Sequence, residues 1–334
     1  MSAQTPTPIP ATITTRWRTS ASRLIANESS PNLLDAARTA SAESDYPSNV
    51  VKLGTLNTKD GPRPVALRDG KLVELGEPLA QLLASGREAI ARAIDKATVT
   101  HQYDQSRLGP APGRPGKVMC IGRNYAAHAA ETGHQTPTRP EVFLRTNTSL
   151  AGPFDNLIRP SVSEQMDFEV ELAVIIGRGG RHIEAKQALD HVGGYCVFND
   201  VSIRDFQMGG TQWTPGKNFD GTGPLGPFIV TADEIPDPQA LELSTTIINR
   251  DGKTEEMQRS TTDLMTHKVR DLIAFLSTWT TLEPGDVIAT GTPSGVGMAR
   301  SPQRWLVPGE TVKCVIKKVG EISNRVVSDT TDTA

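Results

Sequence analysis

Acidic and apolar residues alternate through Asp167-Phe168-Glu169-Val170-Glu171, and the chain then turns wholly apolar through Leu-Ala-Val-Ile-Ile. Strand side chains point to opposite faces with a period of two. The run therefore predicts a strand over 168–176, with Glu169 and Glu171 on one face and Val170, Leu172, Val174 and Ile176 on the other. The continuous apolar half predicts burial on both faces. Upstream, apolar runs predict strands at 50–56, 63–68 and 71–75, the last two joined by the Asp69-Gly70 hairpin turn, and then a short helix over 79–93. A Gly- and Pro-rich stretch at 109–116 follows, and strands are expected at 118–122, 194–200, 228–231, 244–249, 287–290 and 312–319. Helical spacing over 264–279 puts Leu272, Phe275, Leu276 and Trp279 on one face. Many strands and few helices make the chain mainly β, of the α+β class, with a twisted sheet or barrel-like roll as its architecture.

Composition divides the chain. The first 48 residues are rich in Ser, Thr, Ala and Pro, and no acid precedes Glu28, whereas Arg16, Arg18 and Arg23 do. This reads as a disordered tail, or alternatively as an organelle-targeting segment, which shares the Arg- and Ser-rich, acid-poor bias. A small antiparallel cap domain is expected over 49–112 and a larger catalytic domain over 113–330. The formal charge of -3 on 334 residues carries no basic footprint for nucleic acid. No apolar run reaches the length of a membrane span. Cys120, Cys196 and Cys314 are far apart, which fits a reducing compartment better than a disulfide framework. The expected location is the cytoplasm, or the mitochondrion if the tail is a targeting segment.

Ionised carboxylates side by side on a largely buried strand repel each other and resist desolvation. A hard divalent cation held by oxygen ligands relieves both costs. Glu169 and Glu171 are candidates, and Asp200 ends a later strand; three carboxylates leave room for water or substrate around Mg²⁺ or Mn²⁺. Asp167 has the same parity as the glutamates, so the pattern leaves open which acids bind. A solvated acidic face is the plainer alternative, opposed by the apolar run beside it. His128 and Glu131 stand three apart in a stretch that turns from a strand into a short helix, where a carboxylate can orient an imidazole as a general base. Lys217 lies among glycines and could meet a substrate oxygen. Thr290-Gly291-Thr292-Pro293-Ser294-Gly295-Val296-Gly297 follows an apolar strand and could offer backbone N–H groups and hydroxyls to an anion. The glycines at 221, 223 and 226 match a dinucleotide fingerprint literally, but Pro224 interrupts them and no helix pattern follows.

Taken in order, Ile-Gly-Arg-Asn-Tyr with His-x-x-Glu, Asp-Phe-Glu-Val-Glu-Leu, Phe-Asn-Asp-Val-Ser-Ile-Arg-Asp-Phe-Gln, Gly-Lys-Asn-Phe-Asp and Thr-Gly-Thr-Pro-Ser-Gly-Val-Gly resemble the fumarylacetoacetate hydrolase superfamily over 117–327. The resemblance implies a mixed β-sandwich roll with a small N-terminal cap, usually dimeric. It implies Mg²⁺ or Mn²⁺ on Glu169, Glu171 and Asp200, and water activated by His128 with Glu131 on a lid. Lys217 would stabilise charge on substrate oxygen, and Arg123, Tyr125, Arg204, Gln207 and Thr292 would contact substrate. The implied partner is a small anionic 2-oxo or 1,3-diketo acid. The implied reaction is hydrolysis of a C–C bond in an acylpyruvate-like acid, with the ion as Lewis acid. The same site would support decarboxylation of an oxaloacetate-like acid, or isomerisation or tautomerisation of an unsaturated 2-oxo dioate in aromatic catabolism. A ligand-binding protein on the same fold is the non-enzymatic alternative.

Overall fold

The strand that carries the paired glutamates forms inside a large mixed sheet. The computed structural model describes residues 50–329, so the tail expected over 1–48 lies outside the described residues. In spatial order the sheet runs β4 (Thr100–Gln102), β3 (Lys71–Glu74), β2 (Gly61–Arg68), β1 (Lys52–Thr58), β13 (Gly223–Thr231), β11 (Val192–Asn199), β10 (Val170–Ile176), β16 (Val287–Ala289), β5 (Val118–Gly122) and β6 (Glu141–Arg145). A short β7 (Leu150–Ala151) pairs with β13 in parallel. A second sheet runs β15 (Thr254–Thr261), β14 (Glu242–Ile248), β17 (Thr311–Ile316), β18 (Gly320–Ser328) and β8 (Leu157–Arg159). A third, minimal sheet pairs β9 (Met166–Asp167) with β12 (Ser202–Ile203). The N-terminal strands extend the large sheet: Lys52 and Leu53 of β1 stand opposite Val230 and Ile229 of β13.

The two faces of β10 bury into different cores, as its continuous apolar half requires. Val170, Leu172, Val174 and Ile176 meet Leu243, Ile247, Val312, Ile316 and Ile322 of the second sheet. Ala173 and Ile175, on the face of Glu171, pack with Leu53, Leu79, Leu82 and Phe198. Glu171 thus sits on a buried face, at the end of the strand where that core stops.

Several elements differ from their sequence signals. The expected helix over 79–93 is broken at Gly86, whose φ of 80° no helical residue adopts, into α1 (Leu79–Ser85) and α2 (Arg87–Lys96). The helix expected from 264 begins at α6 (Val269–Trp279). Its buried face is Val269, Leu272, Ile273 and Leu276, while Trp279 is half-exposed. The last apolar run ends at Ile316, and a further strand, β18, returns beside it. β18 alternates buried and open positions, β15 carries a single apolar residue, Met257, and β6 is only five residues long, which weakens their signal. Among the described residues no helix is long and apolar enough to cross a membrane.

Candidate active site

The acids converge because adjacent antiparallel strands end together. Val170 of β10 pairs with Asn199 of β11, so Glu169 just precedes one strand and Asp200 just follows the other. The Asn199 side chain accepts from the Glu169 N–H at 3.0 Å, and the Asp200 N–H donates to the Glu169 carbonyl at 2.9 Å. Glu169, Glu171 and Asp200 are buried, and each places a carboxylate oxygen within 4.8 Å of the other two. Asp167, equal in parity, is directed elsewhere: the ladder breaks between β9 and β10. Its carboxylate accepts from the N–H groups of Gly297 (2.7 Å) and Met298 (3.0 Å) and from Arg204 Nε (2.8 Å).

Three buried cations brace this cluster. Lys217 Nζ lies 2.7 Å from Glu169 Oε2 and 2.6 Å from Asp200 Oδ2. Arg204 Nη2 lies 2.7 Å from Glu169 Oε1 and 2.8 Å from Asp167 Oδ2. Arg145 Nε donates to Asp200 Oδ1 at 2.6 Å and its Nη2 to the Val201 carbonyl at 2.6 Å. Lys217 comes from the short helix α5 (Thr214–Lys217), and Arg204 and Gln207 from α4 (Arg204–Met208). The two pack so closely that a Cβ on Gly216 would come within 2.4 Å of Gln207 N. That close approach is the reason for glycine before Lys217.

Burial pushes the Glu169 carboxyl up, but the Lys217 and Arg204 charges outweigh it and hold the group at about 2. Glu171 goes the other way: burial, then the Asp200 and Glu169 charges, push it well above the usual range, against Lys217 and the Gly291 N–H. The Lys217 ammonium is penalised by burial yet held above its ordinary value by Asp200 and Glu169, so it acts as a fixed cation. The donor set fits a hard divalent cation: all three donors are carboxylate oxygens, two already converge on an ammonium, and Glu171 has no cationic partner among the described residues. Glu169, Glu171 and Asp200 would hold it.

Across the cavity stands the imidazole. His128 and Glu131 lie on α3 (Ala126–Glu131), with Nδ1 2.8 Å from Glu131 Oε1. The other Glu131 oxygen accepts from the Gly295 N–H at 2.8 Å, which leaves His128 Nε2 with no partner among the described residues. The loop at 290–298 therefore orients three separate acids through backbone N–H groups: Gly291 to Glu171 (2.9 Å), Gly295 to Glu131, and Gly297 with Met298 to Asp167. Gly291 (φ 97°) and Gly295 (φ 106°) lie where only glycine is unstrained.

A cavity of about 200 Å³ is lined by His128, Glu169, Glu171, Asp200, Arg204, Gln207, Lys217, Arg123 and Thr292, together with Phe143, Trp213, His134 and Met298. Arg123 is engaged at its mouth, with Nε 2.5 Å from Glu141 Oε2 and its guanidinium over the Trp213 ring. Tyr125 is absent from the lining; it is buried, its hydroxyl has no hydrogen-bond partner among the described residues, and burial and the Glu171 charge raise its pKa. Sequence reasoning missed Arg145, Trp213 and Gln258. Arg145 carried one signal, a lone cation on an apolar strand; the other two carried none.

A mixed β fold whose buried acid triad faces an imidazole–carboxylate pair across a small cavity is the arrangement of an enzyme site whose acids would hold a divalent cation. Residues 117–327 match the family described as fumarylacetoacetate (FAA) hydrolase C-terminal. The chain belongs to the fumarylacetoacetate hydrolase family of enzymes. It is 41% identical to the mitochondrial oxaloacetate tautomerase Fahd2a of Rattus norvegicus over 273 residues, 81% of this chain and 83% of that protein. Among solved structures it resembles a fumarylacetoacetate hydrolase of Exiguobacterium antarcticum (32% identity, TM-score 0.71, 84% of this chain and 100% of that one). It also resembles a 2-hydroxyhepta-2,4-diene-1,7-dioate isomerase of Mycobacterium marinum (32% identity, TM-score 0.66, 84% and 99%).

Proposed function

We propose that this chain interconverts the keto and enol forms of a small dianionic 2-oxo acid of the oxaloacetate type, with Mg²⁺ or Mn²⁺ as cofactor. The observation that carries the reading is the free Nε2 of His128, locked by Glu131 and facing the acid triad. Proton transfer between carbon and oxygen can be served by one positioned base. His128 takes the proton from the carbon beside the carbonyl and delivers it to the enol oxygen. C–C hydrolysis needs in addition a water placed for attack; the proton that His128 takes from that water can return to the departing carbon, so the imidazole serves either reaction and the relatives and the size of the cavity favour the first. Lys217, held as an ammonium between two carboxylates, stays a fixed cation. When bound, the ion would act as a Lewis acid on the substrate oxygens.

Charge supports an anionic substrate. With the ion in place, Arg145, Arg204, Lys217 and two ionic charges offset Asp167, Glu169, Glu171, Asp200 and Glu131, and the positive groups converge on the acid triad where a substrate oxygen would lie. The small cavity supports a short acid. The 41% identity to an oxaloacetate tautomerase supports the reaction, and that relative's mitochondrial name supports reading the Arg-containing start as a targeting segment rather than placing the protein in the cytoplasm. Hydrolysis of a short acylpyruvate is the second reading, favoured by the likeness to the Exiguobacterium hydrolase. A homodimer is the expected assembly, to be read by sedimentation.

The test pairs two assays on purified full-length protein with Mn²⁺: decay of enol-oxaloacetate absorbance, and release of pyruvate from acetylpyruvate. The expected result is accelerated tautomerisation, reduced about 10²- to 10⁴-fold in His128→Ala while Mn²⁺ binding persists. Pyruvate release without accelerated tautomerisation would instead establish the hydrolytic reading.

A further inference from the structure

We infer that Gln258 is a positioning residue that fixes the Thr292 hydroxyl as a hydrogen-bond donor into the cavity, so that the site demands an acceptor oxygen, a carboxylate or carbonyl, at that point of its ligand. The inference rests on the reading of the cavity as a small-acid site.

Gln258 stands on β15 of the second sheet, buried behind the site. Its amide orientation is dictated from both ends. The Val170 N–H, which can only donate, points at Oε1 at 3.1 Å, and the Thr245 hydroxyl donates to the same oxygen at 2.8 Å. The Pro293 carbonyl, which can only accept, faces Nε2 at 2.9 Å. Nε2 is therefore the amide nitrogen, and its second hydrogen goes to Thr292 Oγ1 at 2.8 Å. Thr292 Oγ1 consequently serves Gln258 as an acceptor, and its own hydrogen has no acceptor among the described residues. Thr292 is buried and lines the cavity, so that hydrogen is left for a ligand. A buried donor left unpaired is costly, and a ligand that offers an amide N–H there leaves it so.

The arrangement also ties the donor to the acid triad. Gln258 grips Val170, the residue between Glu169 and Glu171, with one end of its amide, and the loop that carries Thr292 with the other. Gln258 thus adds a side-chain link from the opposite sheet to the bond by which the Gly291 N–H already holds Glu171 against the same loop.

The experiment measures binding of oxalate and of oxamate, which replaces one carboxylate by an amide, to Mn²⁺-loaded full-length protein by calorimetry. No turnover is required, so the tautomerase reading can fail without touching this result. Four variants are compared with the wild type: Gln258→Glu, Thr292→Val, Thr292→Ser and the Gln258→Glu/Thr292→Val double variant. Glutamate keeps the acceptor for Val170 but presents an acceptor to Thr292, which turns the hydroxyl away from the cavity. The expected result is that Gln258→Glu and Thr292→Val each weaken oxalate about tenfold or more and narrow its advantage over oxamate. Thr292→Ser keeps that advantage, and the double variant is no worse than Thr292→Val. Losses that multiply in the double variant, or an unchanged oxalate-to-oxamate ratio in Thr292→Val, would overturn the inference. So would an absence of oxalate binding by the loaded wild type. If Gln258→Glu does not fold, the ratio in Thr292→Val and Thr292→Ser still decides whether the hydroxyl is a donor.

Discussion

Glu171 is the residue on which burial and function conflict most directly. Its carboxyl lies on a strand face that continues into an apolar core, beside two other acids, with the Gly291 N–H as its hydrogen-bond partner. Its folded pKa is raised well above 4.5. Below pH 4.5 the group is neutral in both folded and unfolded chains and costs nothing. As the pH rises past 4.5 the unfolded chain ionises while the folded chain resists, so stability is lost over the window that opens upward from 4.5. Glu171→Gln is therefore expected to raise the melting temperature of chelator-treated protein at pH 7.5 and to leave it nearly unchanged at pH 4.5. Thermal unfolding at the two pH values checks this; an equal shift at both would place the effect in packing instead. The same variant removes a metal donor, so the stabilisation that Mn²⁺ provides to the wild type should vanish in it. Asp167 is the contrasting case. It shares the parity of the glutamates, yet three donors hold its carboxylate away from the triad. Parity along one strand could not separate the two roles, because the difference arises where the strand breaks.

At the scale of elements, the loop at 290–298 does more than its sequence suggested. It was legible as a turn with hydroxyls and backbone N–H groups to offer a ligand's charge; in the fold four of those N–H groups serve the protein's own acids. Its glycines have two separate reasons to be glycine. Gly295 combines a φ of 106° with a Met257 carbonyl that would lie 2.2 Å from any Cβ. Gly295→Ala is expected to destabilise the fold by about 2–4 kcal/mol, the sum of backbone strain and overpacking. It also moves the N–H that holds Glu131, so activity should fall further than the stability loss explains. Urea titration beside kcat measured well below the melting temperature separates the two. A normal kcat in a destabilised variant would show that the Glu131 contact is dispensable. α3 carries the opposite lesson: the three-residue spacing of His128 and Glu131 was readable, and the helix delivers it at 2.8 Å.

At the scale of the molecule, binding of a divalent ion couples to protonation and to folding. The raised Glu171 must lose its proton before it can donate to a metal, so binding should release a proton and weaken as the pH falls. Calorimetry in two buffers of different ionisation enthalpy reads the released proton directly. The accompanying rise in melting temperature, about 2.7 kcal/mol of stabilisation at a hundredfold excess over Kd, should be present at pH 8 and largely absent at pH 5. A metal affinity independent of pH would mean that Glu171 is not a ligand.

Period-two alternation, turn pairs and the order of short motifs made the β-rich class, the acid triad, the imidazole–carboxylate pair and the family legible in the chain itself. The alternation, the turn pairs and the His128–Glu131 spacing are local properties, set by strand and helix geometry over fewer than about ten residues; Asp200 joined the two glutamates through the resemblance, whose motifs are spread over 117–327. Only the tertiary structure decided which acid left the cluster, that Arg145 and Lys217 clamp Asp200 from either side, and that Gln258 joins the acid strand to the Thr292 loop. Those contacts link residues 17 to 88 positions apart. They arise from how two sheets stack and where their ladders end, and no periodicity along the chain records that.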